Sequence, residues 1–144
     1  MFEQSPDERL SRWKEFRNNL ETSSQPLLEV TNFWQRAPFI PYNRDIDPFN
    51  QRSWPTPWDI IVNNKYDDFT KAVMMGWTLK LTERFKNSKV EIRSYLDSNQ
   101  NTQYNCVVID ESFVINYLDN EVVNVENLPV SFRLENLVEL TRAR

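Results

Sequence analysis

The stretch WPTPWDIIVNNKYDDF, Trp54 to Phe69, sets a rigid, proline-framed lead-in before a polar turn that opens a helix. An enzyme presents a nucleophile at such a turn, and the groups on offer here are Tyr66, Asp67 and Asp68. The rest of the chain narrows what they could do. There is no histidine, which removes Ser-His and Cys-His pairs, histidine metal sites and imidazole acid–base schemes. A single cysteine, Cys106, allows neither an internal disulfide nor a cysteine-rich zinc site. A single glycine, Gly76, rules out phosphate loops and dinucleotide fingerprints. Carboxylate, tyrosine and lysine chemistry stays open.

Asp67 and Asp68 beside Asp59 could form an acid–base or calcium site. The simpler expectation is that carboxylates in a first helical turn stabilise the dipole, with Asp68 hydrogen-bonding across the site. Asp45, Asp47 and Asp110-Glu111 lack calcium-loop spacing and read as turn formers. No metal and no cofactor is expected. Cys106 reads as an ordinary buried strand cysteine, with no imidazole to activate it.

These residues need elements to position them. At 144 residues the chain suits one compact domain, with 40% hydrophobic and 13% aromatic residues as core material. Net charge is −4 with acids and bases interspersed, which argues against nucleic acid as a partner. The basic end TRAR reads as a solvated tail. No apolar run reaches the roughly 18 residues of a membrane span, so no membrane role is expected. The polar, acidic MFEQSPDERL is not a secretory signal of the usual form, which points to synthesis inside the cell.

Ser5-Pro6-Asp7-Glu8 is a helix start with a capping box, and Leu10, Trp13, Phe16 and Leu20 give its apolar stripe. A second helix is expected from Pro26 to before Pro38. Together these make an N-terminal helical arm over residues 1–37. Residues 38–58 carry five prolines and several aromatics, the pattern of an irregular strap wrapped on the domain. A central helix is expected from a cap at Asn63 or Asn64 to about Lys86, with Gly76 marking close approach of another backbone. The period then changes to two. Four strands are expected near Val90–Tyr95, Tyr104–Ile109, Phe113–Leu118 and Glu121–Val125, then a short helix carrying Leu134, Leu137 and Val138. Residues 59–144 thus form an α+β core with an antiparallel sheet.

WPTPWDII…KYDDFTKAVMMGWTLK resembles the stretch of bacterial transglutaminase-like cysteine peptidases that reads Trp-x-Thr-Pro, then Cys-Glu-Asp-Tyr-Ala entering a helix. QYNCVVID is similar to their histidine-bearing strand, and VINYLDNEVVNVENLP to their Leu-Asp-Asn segment. The resemblance covers roughly Trp54 to Pro129. It implies a transglutaminase-like fold whose active centre joins a cysteine at a helix N terminus, a histidine base and an orienting aspartate. Carried over, the cysteine site becomes Tyr66 and the histidine site Asn105 (or Tyr104, one register over); the aspartate is retained as Asp119. A phenol cannot replace a thiolate at neutral pH, and an amide cannot shuttle a proton.

The expectation is therefore a non-catalytic protein that binds other proteins, with Tyr66 filling the vacated pocket. Trp34, Arg52, Trp54 and Trp58 are the candidate partner anchors. FWQRAP…IDPFNQRSWPTPWDII also resembles small structural proteins of tailed phages. That resemblance implies a place in the virion (neck, tail, baseplate or head surface), several copies, virion subunits as partners, and synthesis in the host cytoplasm. The alternatives are a peptide-binding regulatory module, or a hydrolase using Asp67, Asp68 or Asp119.

Overall fold

The computed structural model describes residues 1–141; Arg142 and Arg144 of the basic tail lie outside the described residues. Four helices precede a five-stranded sheet. The helices are α1 (Pro6–Leu20), α2 (Pro26–Trp34), α3 (Pro57–Asn63) and α4 (Asp68–Lys80); the strands are β1 (Val90–Asp97), β2 (Thr102–Ile109), β3 (Phe113–Ile115), β4 (Val123–Asn124) and β5 (Phe132–Leu140). The sheet is antiparallel throughout, in the order β4-β3-β2-β1-β5. No helix among the described residues is long and apolar enough to cross a membrane.

Two capping boxes set the N-terminal half. Ser5 and Glu8 exchange hydrogen bonds at the start of α1, as the sequence predicts. Thr56 and Asp59 do the same at α3, with Pro57 at its first position. The proline-framed stretch is therefore itself a helix start, and the strap ends sooner than expected. Asn64 does not open the central helix. It takes φ 58°, the left-handed conformation that asparagine tolerates, and so closes α3. The buried Arg9 of α1 then satisfies the end of α3, donating to the Ile61 carbonyl at 3.0 Å and to that of Val62 at 2.8 Å.

Helix α4 is the centre of the molecule and is buried almost all round. One side lies on the inner face of the sheet, among Val90, Ile92, Val107, Ile109, Ile115 and Leu140. Gly76 permits this approach: a Cβ there would stand 2.5 Å from Leu140 Cδ1 and 3.3 Å from Ile92 Cδ1 and Val90 Cγ1. The close neighbours are side chains, where backbone was expected. The helix ends at Lys80, short of the predicted Lys86, and Glu21 at the end of α1 accepts the Glu83 and Arg84 N–H groups at 2.8 and 3.0 Å.

On its other side α4 binds both N-terminal helices through one hydroxyl. Thr78 Oγ1 accepts from the indole N–H of Trp13 at 2.9 Å and of Trp34 at 3.0 Å, and donates to the Met74 carbonyl at 2.6 Å. All three side chains are fully buried.

The expected C-terminal helix is strand β5, which pairs along the whole of β1. A bulge opposite Ser94/Tyr95 inserts Glu135 and resets the side-chain parity. Leu134, Leu137 and Val138 thereby lose strict alternation and imitate helical spacing. The fourth expected strand shrinks to Val123–Asn124. On the outer face of the sheet, Tyr95, Cys106, Val108 and Val114 form a second cluster with Tyr104, Tyr117 and Phe132.

Thr78→Val keeps the shape of the core and leaves two buried indole donors unsatisfied, which should cost roughly 2–5 kcal/mol. Thr78→Ser keeps the hydroxyl and should cost about 1 kcal/mol. Urea unfolding of the two variants tests the difference.

Candidate functional site

The start of α4 is fixed from two sides. Asp67 is its N-cap: Oδ1 accepts from the Thr70 N–H at 2.8 Å and the Thr70 hydroxyl at 2.6 Å. Its other oxygen accepts from the main-chain N–H of Asn43, in the strap, at 2.9 Å. The strap is also paired to the lead-in of α4, where the Ile40 N–H donates to the Tyr66 carbonyl at 2.9 Å.

With the cap in place, Asp68 points at the sheet. Asn105 of β2 donates to Asp68 Oδ2 at 2.9 Å, and Ser94 of β1 donates to Asn105 Oδ1 at 2.8 Å. Asn116, immediately after β3, donates to the Asn105 carbonyl at 2.8 Å and reaches Asp68 Oδ1 at 3.5 Å. Asn116 sits at φ 62°, and this left-handed turn folds its amide back over β2. A helix N terminus and two neighbouring strands thus converge on one carboxylate and two amides.

Protein atoms crowd the Asp68 carboxyl even though the residue keeps an open side to solvent. Burial raises its pKa; hydrogen bonds from Asn105 and Asn116 and the charge of Lys71 pull the other way, and Asp67 adds to the rise. Both oxygens of Asp67 are engaged by Thr70 and Asn43, so it does not face Asp68 as a second acid. Asp59 is occupied in the α3 capping box.

Tyr66 is fully buried, packed on Phe2 and Trp34 with ring centroids 5.7 and 5.4 Å away. Burial pushes its phenol far above the ordinary range. It is therefore core packing two residues before the convergence point. Asp119 lies in the exposed turn after β3, and no hydrogen bond joins it to Asp68 or Asn105. Of the three positions carried over from the resemblance, only Asn105 lies in this network; Asp68 and Asn116 complete it. Cys106 adjoins Asn105 in sequence but points to the opposite sheet face, as strand parity requires. Burial, with the Asp68 charge second, pushes its thiol up to about 12.

The named aromatics divide. Trp34 is at the core and offers nothing to a partner. Trp54 is half-buried, edge-on to Phe69 at 5.6 Å, with its indole on the Asp47 carbonyl. Arg52 is exposed and Trp58 is 46% exposed. Phe39, Tyr42 and Phe49 of the strap are more exposed still, which composition alone does not reveal.

This architecture, a capped central helix laid on an antiparallel sheet, is the transglutaminase-like α+β fold. Two solved structures share it. Calcium-bound LapG from Legionella pneumophila superposes with a TM-score of 0.66 at 15% identity, covering 91% of this chain and 74% of that one. A second LapG structure from the same organism gives 0.65 at 14% identity, covering 90% and 73%. No family model matches the chain and no curated protein does. Among the described residues no three acidic, histidine or cysteine side chains gather into a set that could hold a metal ion.

The raised pKa of Asp68 carries a sign. Its folded form favours the protonated acid, so the contribution to stability is present below the ordinary value of 3.8 and is lost as pH rises through the raised value. Asp68→Asn removes that titration. Unfolding midpoints measured from pH 3.5 upward should therefore show the variant gaining on the parent chain as pH rises; a parallel pair of curves would count against burial as the dominant influence on the Asp68 carboxyl.

Proposed function

We propose that this chain is a non-catalytic transglutaminase-like protein whose work is to bind other proteins. One observation carries the reading: where the helix N terminus meets β2 and β3, the side chains are Asp68, Asn105 and Asn116. A carboxylate held by two amides contains no activated nucleophile, and neither amide can accept and return a proton. The one thiol of the chain is buried on the other face of the sheet. Acid–base hydrolysis by carboxylates would call for a second carboxylate facing Asp68, and Asp67 is turned to its cap.

The surface offered to partners is the strap edge, where Phe39, Tyr42, Phe49 and Trp58 stand exposed with Arg52. Aromatics with arginine are the residues that dominate protein–protein hot spots. The proposed setting is a tailed-phage virion with several copies of the chain, a setting suggested by the resemblance of its FWQRAP and strap segments to phage structural proteins.

The test has two arms. Purified chain, incubated under reducing conditions with a mixture of unstructured peptides, should leave them intact by mass spectrometry. Turnover that Asp68→Asn abolishes would overturn the reading. Paired Arg52→Glu and Tyr42→Ala substitutions, both at exposed strap positions, should lower incorporation into particles about tenfold while leaving the urea midpoint nearly unchanged.

A further inference from the structure

A cavity of about 590 Å³ lies between the start of α2 and the turns that join β2, β3 and β4. This is the size of site that takes a few side chains of a ligand. Leu27, Leu28, Phe85, Phe113 and Val122 form its apolar wall, and Phe113 is 45% exposed there. Neither Asp68, Asn105 nor Asn116 lines it, so it is separate from the site already described.

Its charge is one-sided. Asp110 and Glu121 are the ionisable residues in the lining, both exposed, and neither has an ion-pair partner among the described residues. Asp110 uses one oxygen on the Lys89 main-chain N–H at 2.8 Å. Two neighbouring cations are engaged elsewhere, Lys89 Nζ with Glu111 at 3.1 Å and Glu91 at 3.7 Å, and Arg84 with the Leu20 and Ser23 carbonyls at 3.0 and 2.7 Å; Arg36 lines an adjoining cavity and not this one.

A third feature is the uncapped start of α2. Gln25 makes no side-chain capping bond and Pro26 has no N–H, so the donors of Leu27 and Leu28 are the first that the helix presents. An adjoining cavity of about 490 Å³ shares Leu28 and Asn120 and continues along α2 to Arg36, giving an extended chain a path.

We propose that this groove docks a peptide segment of a partner protein, one that places a bulky apolar side chain beside a lysine or arginine. The apolar wall takes the side chain, Asp110 and Glu121 take the cation, and the α2 start takes a main-chain carbonyl. A hydrocarbon would use only the first feature, and an anionic segment would meet the carboxylates. The choice of a protein as occupant rests on the protein-binding reading above; the groove and its charge do not.

The probes are two peptides, acetyl-Ala-Lys-Leu-Phe-Lys-Ala-amide and its counterpart with glutamate for both lysines, titrated into isotope-labelled chain and followed by NMR. The lysine peptide should shift the amides of Leu27, Leu28, Phe113 and Val122 with a Kd at or below about 1 mM. Asp110→Asn with Glu121→Gln should weaken it about tenfold. Asn suits position 110, which has φ 52°, and keeps an acceptor for Lys89. Equal binding of the two peptides, shifts confined to another surface, or no shifts at millimolar peptide would each overturn the proposal. If the groove fails while the strap-edge variants still lose incorporation into particles, the protein-binding reading survives without it.

Discussion

Asp67 accepts three hydrogen bonds, two from Thr70 and one from the strap at Asn43, and by doing so decides where the central helix begins and which way the next residue points. A helix start leaves four N–H groups without helical partners, and a buried start must satisfy them locally. Using one carboxylate for both the cap and the strap ties the irregular proline-rich segment to the most buried element of the fold. Asp68 follows in a fixed direction, toward β2. The far half of the same helix is held by a second shared group, the Thr78 hydroxyl, which takes the indoles of α1 and α2. The helix is thus located at both ends by polar contacts and along its length by the apolar face of the sheet.

Geometry and chemistry part company at the place so constructed. Three elements bring polar side chains into hydrogen-bond contact, the spatial requirement of nucleophile-and-base catalysis. The groups delivered are a carboxylate and two amides, which satisfy one another. Ser94, Asn105 and Asp68 form a donor-to-acceptor chain in which the Asn105 amide is used on both sides. Such an arrangement holds the helix to the sheet. Cys106 illustrates how strict the placement is: one residue from Asn105, it faces the opposite layer among Tyr95, Val108 and Val114.

Capping chemistry was legible in the sequence. Ser5 with Glu8 reads directly as a helix start because the spacing of donor and acceptor is local. The α+β order and the first three strands follow equally from periodicity. The site was only half legible. Asn105 is found by its place on a strand, but the choice between Tyr66 and Asp68 depends on which residue caps α4, and Asn63, Asn64 and Asp67 are all competent caps. Asn116 carries one usable signal, an asparagine just after an apolar strand in a chain with a single glycine. Left-handed positions among the described residues fall to Asn64, Asn101, Asp110, Glu111, Asn116 and Asn120, and Asn116 is the one whose amide reaches Asp68 and the Asn105 carbonyl. Strand β5 was hidden because its own bulge at Glu135, set by pairing with β1, is a tertiary feature that breaks period two in the sequence.

The central claim is that this scaffold lacks reactive groups while keeping the placement they would need. It is tested most directly by putting such groups back: Asp68→Cys, Asn105→His and Asn116→Asp in a Cys106→Ala background, with iodoacetamide alkylation of the new thiol followed against pH. A thiol at a helix N terminus beside an imidazole should be deprotonated well below the ordinary value. The expected result is alkylation at pH 6 roughly tenfold or more faster in the folded protein than in the same chain unfolded in guanidinium. A folded-state rate no greater than the unfolded one would show that these three positions do not form a catalytic constellation, and would contradict the account.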